Sequence, residues 1–168
     1  RAPAAYLEAL SRQDSDYNGF NLLVADQHSL YGYCNRGGGV QQLQPGVHGI
    51  SNGLLDEAWP KVKHGRTSLA EAVTADVDPD VEMLFALLAD RRPAAEEELP
   101  STGIGADWER LLSSRFIAAP GYGTRCSTVL LWGVDGKIRF VERSFDEQGA
   151  VSARVDLVFV IDERPGRV

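Results

Sequence analysis

The sequence predicts an α+β domain in which helices pack on antiparallel sheets. Three observations support this class: strand patterns fill the first and last parts of the chain, helical patterns fill the middle, and strands do not alternate with helices. The 168 residues and the 43% hydrophobic fraction suit one domain with its own core. We therefore predict a single domain over residues 1–168, with a frayed tail at 164–168.

The first part is predicted to be a short helix followed by a β-meander. Pro3 suits the first turn of a helix, and Tyr6, Leu7 and Leu10 share one helical face. Apolar and aromatic runs between turn residues then indicate strands. These predicted strands cover residues 20–26, 30–35, 40–43 and 47–51.

The middle of the chain is predicted to be helical. Ser68 and Glu71 have the spacing of a capping box, so we expect a helix to begin at Thr67 or Ser68. A second helix follows the turn residues 78–80, and a third short helix is expected over residues 107–112. The broad apolar face of the second helix comprises Val81, Leu84, Phe85, Leu87 and Leu88.

The last part returns to β-structure. Asp135-Gly136 is a strong hairpin signal, and the residues after it alternate between apolar and charged. The predicted strands cover residues 116–119, 127–132, 138–145 and 151–161.

Composition excludes several classes of partner. The net charge of −7 argues against nucleic acid, because phosphate binding needs a basic surface. No run reaches the roughly 18 apolar residues of a membrane span, and no secretory signal is visible. Cys34 and Cys126 are expected to be free, mostly buried thiols in a reducing compartment, which predicts a cytoplasmic location. The oligomeric state is left open.

Two segments of the first part are candidate sites for a small-molecule ligand or substrate. Asn35 and Arg36 end a strand and precede three glycines, so they either form an ordinary turn or bring the backbone and a cation close to a ligand. Ser51 and Asn52 are either turn residues or site residues, and the Asn52 amide could bind a developing oxyanion. Trp59 follows as a core or lid aromatic.

A third candidate is the glycine-containing segment 120–128. Tyr122 and Thr124 lie beside Gly121 and Gly123, and Arg125 follows at the mouth of an apolar strand. Arg125 is either a structural ion-pair partner or a cation that orients a carboxylate. The segment matches neither of the common phosphate-binding glycine motifs.

The sequence predicts no metal site and no cofactor. His28, His48 and His64 lie in different segments without metal-ligand spacing, and three adjacent glutamates at 96–98 cannot converge on one ion.

Short motifs along almost the whole chain resemble the NRDE protein family, also called the transport and Golgi organisation family. They follow the family order at residues 19–23, 34–36, 46–52, 59–62, 99–103, 116–117, 122–129 and 141–145. The Met-Cys start and the Asn-Arg-Asp-Glu run of the family are absent, and the chain starts at Arg1. The resemblance therefore implies the C-terminal portion of a longer protein, incomplete at its N-terminus.

The resemblance implies an N-terminal-nucleophile-hydrolase-like αββα sandwich with helices on the outer faces. The implied activity is hydrolysis of amide (C–N) bonds by an N-terminal Cys outside these residues, so this fragment alone would be inactive. By analogy, Asn52 would be an oxyanion-hole residue, and Arg125 would lower the pKa of the nucleophilic thiol. Asn35, Arg36, Ser51, Trp59, Tyr122 and Thr124 are then the substrate-binding candidates.

Two other functions remain open on the sequence. One is a trafficking protein without catalysis, which handles lipid or haem and is related to Golgi organisation and secretion. The other is an interaction domain that has no cleft near Asn52 and Arg125. Whether the chain belongs to an enzyme is therefore undecided by the sequence.

Overall fold

The computed structural model describes residues 1–73 and 79–161, which form two compact units, Arg1–Thr67 and the described residues from Ser68 onward. The predicted tail at 164–168 and the break at Asp78 lie outside the described residues. Within these residues the chain has four α-helices and three antiparallel sheets, which confirms the predicted mixture of helices and antiparallel strands. The single-domain boundary stays a prediction.

The elements are named here in chain order. The helices are α1 (Pro3–Leu10), α2 (Pro60–Ala72), α3 (Val81–Leu88) and α4 (Ala106–Leu112). The strands are β1 (Asn21–Ala25), β2 (Leu30–Cys34), β3 (Gly39–Gln42), β4 (Ala118–Ala119), β5 (Tyr122–Gly123), β6 (Cys126–Trp132), β7 (Lys137–Phe145) and β8 (Val151–Val160).

The first unit is built on the sheet β1-β2-β3, and α1 packs against all three strands. Leu7 of α1 is completely buried, which fits its place on the predicted apolar face. Tyr33 of β2 is also buried, and its hydroxyl donates to the Asp14 carboxylate. This hydrogen bond raises the pKa of Tyr33 to about 12. The sheet thus has a well-packed centre from which the loop after β3 extends.

The second unit is built on the sheet β6-β7-β8, with α3 packed on β6. Its core joins the predicted apolar face of α3 to the sheet through Val81, Phe85, Val129 and Val141. The Arg143 guanidinium lies 4.1 Å from the centre of the Phe85 ring, so a cation–π contact covers the edge of this core.

The expected burial of the cysteines is wrong. Both are free thiols, but Cys126 is exposed and Cys34 is half-buried.

Two expectations about secondary structure are also wrong. The predicted strand at 47–51 does not form, and residues 47–50 have no regular structure. The backbone of Gly49 bonds Asp56 within the same loop instead of a neighbouring strand. The helix expected to begin at Thr67 or Ser68 begins at Pro60, where proline suits the first helical position.

No helix among the described residues is both long and apolar enough to cross a bilayer.

Phe85 tests the core of the second unit. Phe85 is 2% exposed, so Phe85→Ala should lower the free energy of unfolding by about 3–5 kcal/mol through lost burial and a residual cavity. Chemical denaturation measures this change. Ala86→Gln alters an exposed position of the same helix and should shift the free energy by less than about 0.5 kcal/mol. Equal effects of the two substitutions would contradict this core.

Candidate functional site

Residues 49–56 form a closed loop with Asn52 near its tip. The N–H of Asp56 donates to the carbonyl of Gly49 over 2.8 Å, and the N–H of Gly49 donates to the Asp56 carboxylate over 2.8 Å. Asp56 has a positive φ of 57°, a conformation that aspartate tolerates better than most residues. The two ends of the loop are therefore fastened to each other, and we call this segment the Asn52 loop.

The tip of the Asn52 loop is anchored by Asn21 at the start of β1. The Asn21 side-chain amide donates to the carbonyl of Ser51 over 2.9 Å and to the carbonyl of Gly53 over 3.1 Å. Because both partners are acceptors, the NH2 group and not the oxygen of Asn21 must face them. Asn21 thus holds the backbone on both sides of Asn52, while its own Oδ1 is buried without a partner among the described residues.

The base of the Asn52 loop is held by charged side chains. His48 Nδ1 lies 2.7 Å from Asp56 Oδ2, and Arg66 Nη1 lies 3.4 Å from Asp56 Oδ1. The Asp56 hydrogen bond raises the pKa of His48, and the Gln44 carbonyl adds to this effect. Burial raises the pKa of Asp56, but the hydrogen bonds from His48 and Gly49 outweigh it, and the net pKa lies below its ordinary value.

The Asn52 side chain itself is exposed and makes no hydrogen bond to the described residues. Next to it, Gly53 lies against the Glu57 carboxylate, which would have to move if a Cβ were added at Gly53. The Glu57 carboxylate accepts a hydrogen bond from the N–H of Leu54 over 2.8 Å, which holds the part of the loop that follows Asn52. The loop therefore holds the backbone of Asn52 in place and leaves its amide available.

Asn35 and Arg36 lie at the turn between β2 and β3. The Asn35 carboxamide accepts from the N–H of Phe20 over 2.8 Å and donates to the carbonyl of Asn18 over 3.0 Å, so both of its ends bind backbone. Arg36 is exposed and lies over Gly19, where an added Cβ would come within 2.8 Å of its Nε. Asn35 thus serves the fold in this structure, whereas the Arg36 guanidinium reaches solvent.

The turn after Arg36 approaches the Asn52 loop. A Cβ at Gly37 or Gly38 would lie 3.8 Å from the Leu54 methyl group, so the two segments are close neighbours. The first unit therefore brings together the two candidate segments that the sequence placed far apart.

Trp59 links the Asn52 loop to α2. Its carbonyl accepts from the N–H groups of Val62 and Lys63, so it caps the start of α2. The Lys61 ammonium lies 5.9 Å from the centre of the Trp59 indole, and burial lowers the pKa of Lys61.

The remaining candidates lie in the second unit, on the small hairpin β4-β5. The N–H of Thr124 donates to the Ile117 carbonyl over 2.8 Å, and the Thr124 hydroxyl accepts from the N–H of Ile117 over 2.9 Å. Tyr122 is exposed, and its ring meets Trp108 edge to face at 5.4 Å. Thr124 therefore closes the hairpin, while Tyr122 presents an aromatic surface.

Arg125 follows this hairpin just before β6. Its carbonyl accepts from the N–H of Phe145 over 2.9 Å, which fixes the backbone at the strand mouth. Its exposed guanidinium makes no hydrogen bond or ion pair within residues 1–73 and 79–161. That Arg125 and Asn52 share one cleft stays a prediction.

The hairpin is tied to the end of α3 by Asp90. Arg115 Nη2 lies 2.5 Å from Asp90 Oδ2, and both side chains are largely buried. The N–H of Phe116 also donates to the Asp90 carbonyl over 2.9 Å. Hydrogen bonds from Arg92, and then from Arg115, hold the pKa of Asp90 far below its ordinary value despite burial.

Sequence reasoning missed the anchoring residues Asn21, Asp56 and Asp90. Only Asn21 had a signal in the sequence, because it is a polar residue between the apolar Phe20 and Leu22 of a predicted strand. No group of three or more His, Cys, Asp or Glu side chains in the described part of the chain could hold a metal ion.

Comparison with known proteins places the chain beside one family. Residues 1–147 match the family described as Transport and Golgi organisation 2. The Transport and Golgi organization protein 2 homologs of Homo sapiens and Bos taurus are 36% and 37% identical over 153 residues. The Transport and Golgi organization 2 homolog of Mus musculus is 32% identical over 153 residues. Each alignment covers 83% of this chain and 55% of the relative, so the chain spans about half the length of these curated relatives.

Asn21 can be tested by an isosteric substitution. Asn21→Asp replaces the donor by a carboxylate that faces two carbonyl oxygens, so it should lower the free energy of unfolding by more than about 2 kcal/mol. Asn21→Ala should cost less, because it leaves two unpaired carbonyls but no repelling charge. Asn18→Ala, on an exposed side chain, is the control. Denaturant unfolding that finds Asp better tolerated than Ala would contradict this anchor.

Because the pKa of Asp90 is lowered in the folded protein, we expect the protein to lose stability in acid. Its folded pKa lies below the unfolded value of about 3.9, so its contribution is present above that pH and is lost as pH falls through the folded value. Asp90→Asn should lower the free energy of unfolding at pH 7 by about 2 kcal/mol and reduce the further loss between pH 5 and pH 2. Unfolding curves at each pH measure both effects. Glu97→Gln, on an exposed side chain, is the control and should change the free energy of unfolding at pH 7 by less than about 0.5 kcal/mol.

Proposed function

This chain belongs to the Transport and Golgi organisation 2 family, and we propose that it forms part of an N-terminal-nucleophile hydrolase that cleaves amide (C–N) bonds. The nucleophile in this proposal is the N-terminal Cys that the family resemblance implies, which is not among these 168 residues. The substrate is a small molecule with an accessible amide.

One observation carries the proposal, namely the amide of Asn52 on a loop that is fastened at its tip and at its base. Asn21 holds the carbonyls on both sides of Asn52, and Asp56 joins the loop ends. A hydrogen-bond donor stabilises a developing oxyanion best when it is already in position before the reaction. The backbone of Asn52 is fixed in advance in this way, and its side chain, which the fold does not use, is available to donate to the oxyanion.

The proposed reaction proceeds by acyl transfer. The free α-amine takes the thiol proton, and the thiolate attacks the amide carbonyl of the substrate. The carbonyl oxygen then gains negative charge and accepts a hydrogen bond from the Asn52 side chain. The tetrahedral intermediate expels the amine, which receives the proton, and water hydrolyses the remaining thioester. Arg125 contributes positive charge, which favours the thiolate form of the nucleophile.

The proposed architecture is an αββα sandwich of two antiparallel sheets. Support comes from each unit separately: α1 covers β1-β2-β3, and α3 packs on the sheet β6-β7-β8. Each sheet thus carries a helix, as the layered fold requires.

The test uses the full-length protein and a β-lactone probe that acylates an N-terminal Cys. Asn52→Ala should slow acylation about 100- to 1000-fold, because one oxyanion donor is lost. Asn18→Ala removes another exposed asparagine side chain in the same unit and should leave the rate unchanged. Mass spectrometry locates the acyl group and gives the rates.

Two results would overturn the proposal. The first is no acylation of the N-terminal Cys in the full-length protein. The second is acylation at the same rate in the wild type and in Asn52→Ala, since the amide would then have no part in the reaction.

A non-catalytic trafficking role is the second candidate, and the names of the relatives favour it. Those proteins are named for transport and Golgi organisation. In this role the same site would hold a lipid or haem without turnover. His48 is poorly suited to ligate haem iron, because both of its ring nitrogens lie within 2.8 Å of acceptor oxygens. Binding of labelled lipid to an acylation-negative full-length protein would favour this role.

A further inference from the structure

His48 sits at the base of the Asn52 loop with an acceptor at each ring nitrogen. Nδ1 lies 2.7 Å from the Asp56 carboxylate, and Nε2 lies 2.8 Å from the Gln44 carbonyl. A neutral imidazole has one N–H and one lone pair, so it could satisfy only one of these oxygens. The other nitrogen would present a lone pair to an oxygen at close range. Only the imidazolium, which carries a proton on each nitrogen, fits both contacts.

The surroundings of His48 favour this charged form. Asp56 faces it from the same loop, and Arg66 of α2 is the other charged group that acts on it. Arg66 opposes the imidazolium charge, but its guanidinium is directed to Asp56 at 3.4 Å and to the Val47 carbonyl at 2.9 Å. The His48 and Asp56 side chains are 26% and 29% exposed, so solvent screens the pair only in part.

We propose that His48 is a positioning residue whose protonation fastens the Asn52 loop, so that the loop loosens as the pH rises. Its role in catalysis rests on the proposed function, because the group it positions is Asn52. The loop behaviour itself does not depend on that function. Three groups at the loop base make up this latch: the His48 ring, the Asp56 carboxylate and the Gln44 carbonyl.

Deprotonation breaks one of the two contacts. The charge-assisted bond from Nδ1–H to the Asp56 carboxylate is the stronger, so the proton on Nε2 is the one lost. The Nε2 lone pair then faces the Gln44 carbonyl and repels it. The segment between β3 and His48 therefore loses its hydrogen bond to the His48 ring. Asp56 then faces a neutral imidazole, so its hydrogen bond from Nδ1–H is no longer charge-assisted, and its remaining cationic partner is Arg66 at 3.4 Å. Both changes weaken the base of the loop, while the neutral Asn21 anchor at the tip is unaffected.

The pH window follows from the direction of the pKa shift. The folded pKa of His48 lies above the unfolded value of about 6.5. The stabilisation is therefore complete below that value and is lost as the pH rises through the folded pKa.

The first experiment identifies the protonation state in the full-length protein. Nitrogen-15 NMR of the histidine rings between pH 5 and pH 9 should show both His48 nitrogens protonated at the acidic end, and a His48 pKa above the unfolded value of about 6.5. A His48 pKa at or below the unfolded value of about 6.5 would overturn the proposal without any substitution.

The second experiment measures the loop. His48→Gln should lower the hydrogen-exchange protection factor of the Gly49 amide about tenfold at pH 6, because one charge-assisted hydrogen bond is removed. The same variant should abolish the fall in protection that the wild type shows between pH 6 and pH 9. His64→Gln is the matched control and should behave as the wild type. Unchanged protection in His48→Gln, or a pH-dependent loop that survives the substitution, would refute the latch.

The latch and the proposed function fail in different experiments. A His48 that titrates as expected in a protein whose N-terminal Cys is never acylated supports the latch and removes the hydrolase. If the protein is acylated, the rate for the wild type should fall above the His48 pKa, and His48→Gln should lack this fall. If the acylation rate depends on pH in the same way in the wild type and in His48→Gln, then His48 does not position Asn52 for the reaction.

Discussion

The contact between Asn21 and the backbone around Asn52 is the constraint on which the candidate site depends. One carboxamide on the first residue of β1 donates to the Ser51 and Gly53 carbonyls, and so joins a loop to a sheet strand 30 residues away. A strand is a stiffer support than a loop, so the position of Asn52 is set by the sheet and not by local turn preferences. The buried Asn21 Oδ1, unpartnered among the described residues, adds a desolvation cost that the two donated bonds must exceed.

The two anchors of the Asn52 loop differ in chemistry, and they therefore respond differently to solution conditions. The Asn21 anchor is neutral and does not titrate in the range where proteins are stable. The base, formed by His48, Asp56 and Arg66, consists of ionisable groups that are each partly exposed. Salt and pH act on charged groups far more than on amides. A loop with this arrangement can loosen at its base while its tip remains attached.

Elements with a clear apolar period could be predicted from the sequence, and elements held by side-chain to backbone bonds could not. The helix α3 follows its pattern, because it buries one face. The strand β7 forms where its apolar residues predict it, with Ile138, Val141 and Phe145 buried. The expected strand at 47–51 has a similar apolar content, but Asp56 captures the Gly49 backbone and prevents pairing with another strand. Such a contact depends on the folded path of the chain, which no local pattern encodes. The early start of α2 was missed because a proline can begin a helix as readily as break one.

The candidate site residues fall into two groups, according to whether their side chains already make hydrogen bonds to the backbone. This distinction is clearer than their position in loops. Asn35 and Thr124 were selected for their polar side chains next to glycines, yet each one binds backbone groups of the fold. Asn35 binds Phe20 and Asn18 before β1, and Thr124 binds Ile117 across its own hairpin. Asn52 and Arg125 have side chains that make no hydrogen bond within the described residues, on a backbone that is fixed. A side chain whose donors already bind the backbone cannot donate to a developing negative charge on a substrate unless one of those structural hydrogen bonds breaks. A rigid backbone with an unused donor can do so at little cost, and this is why Asn52 and Arg125 are the stronger candidates for chemistry.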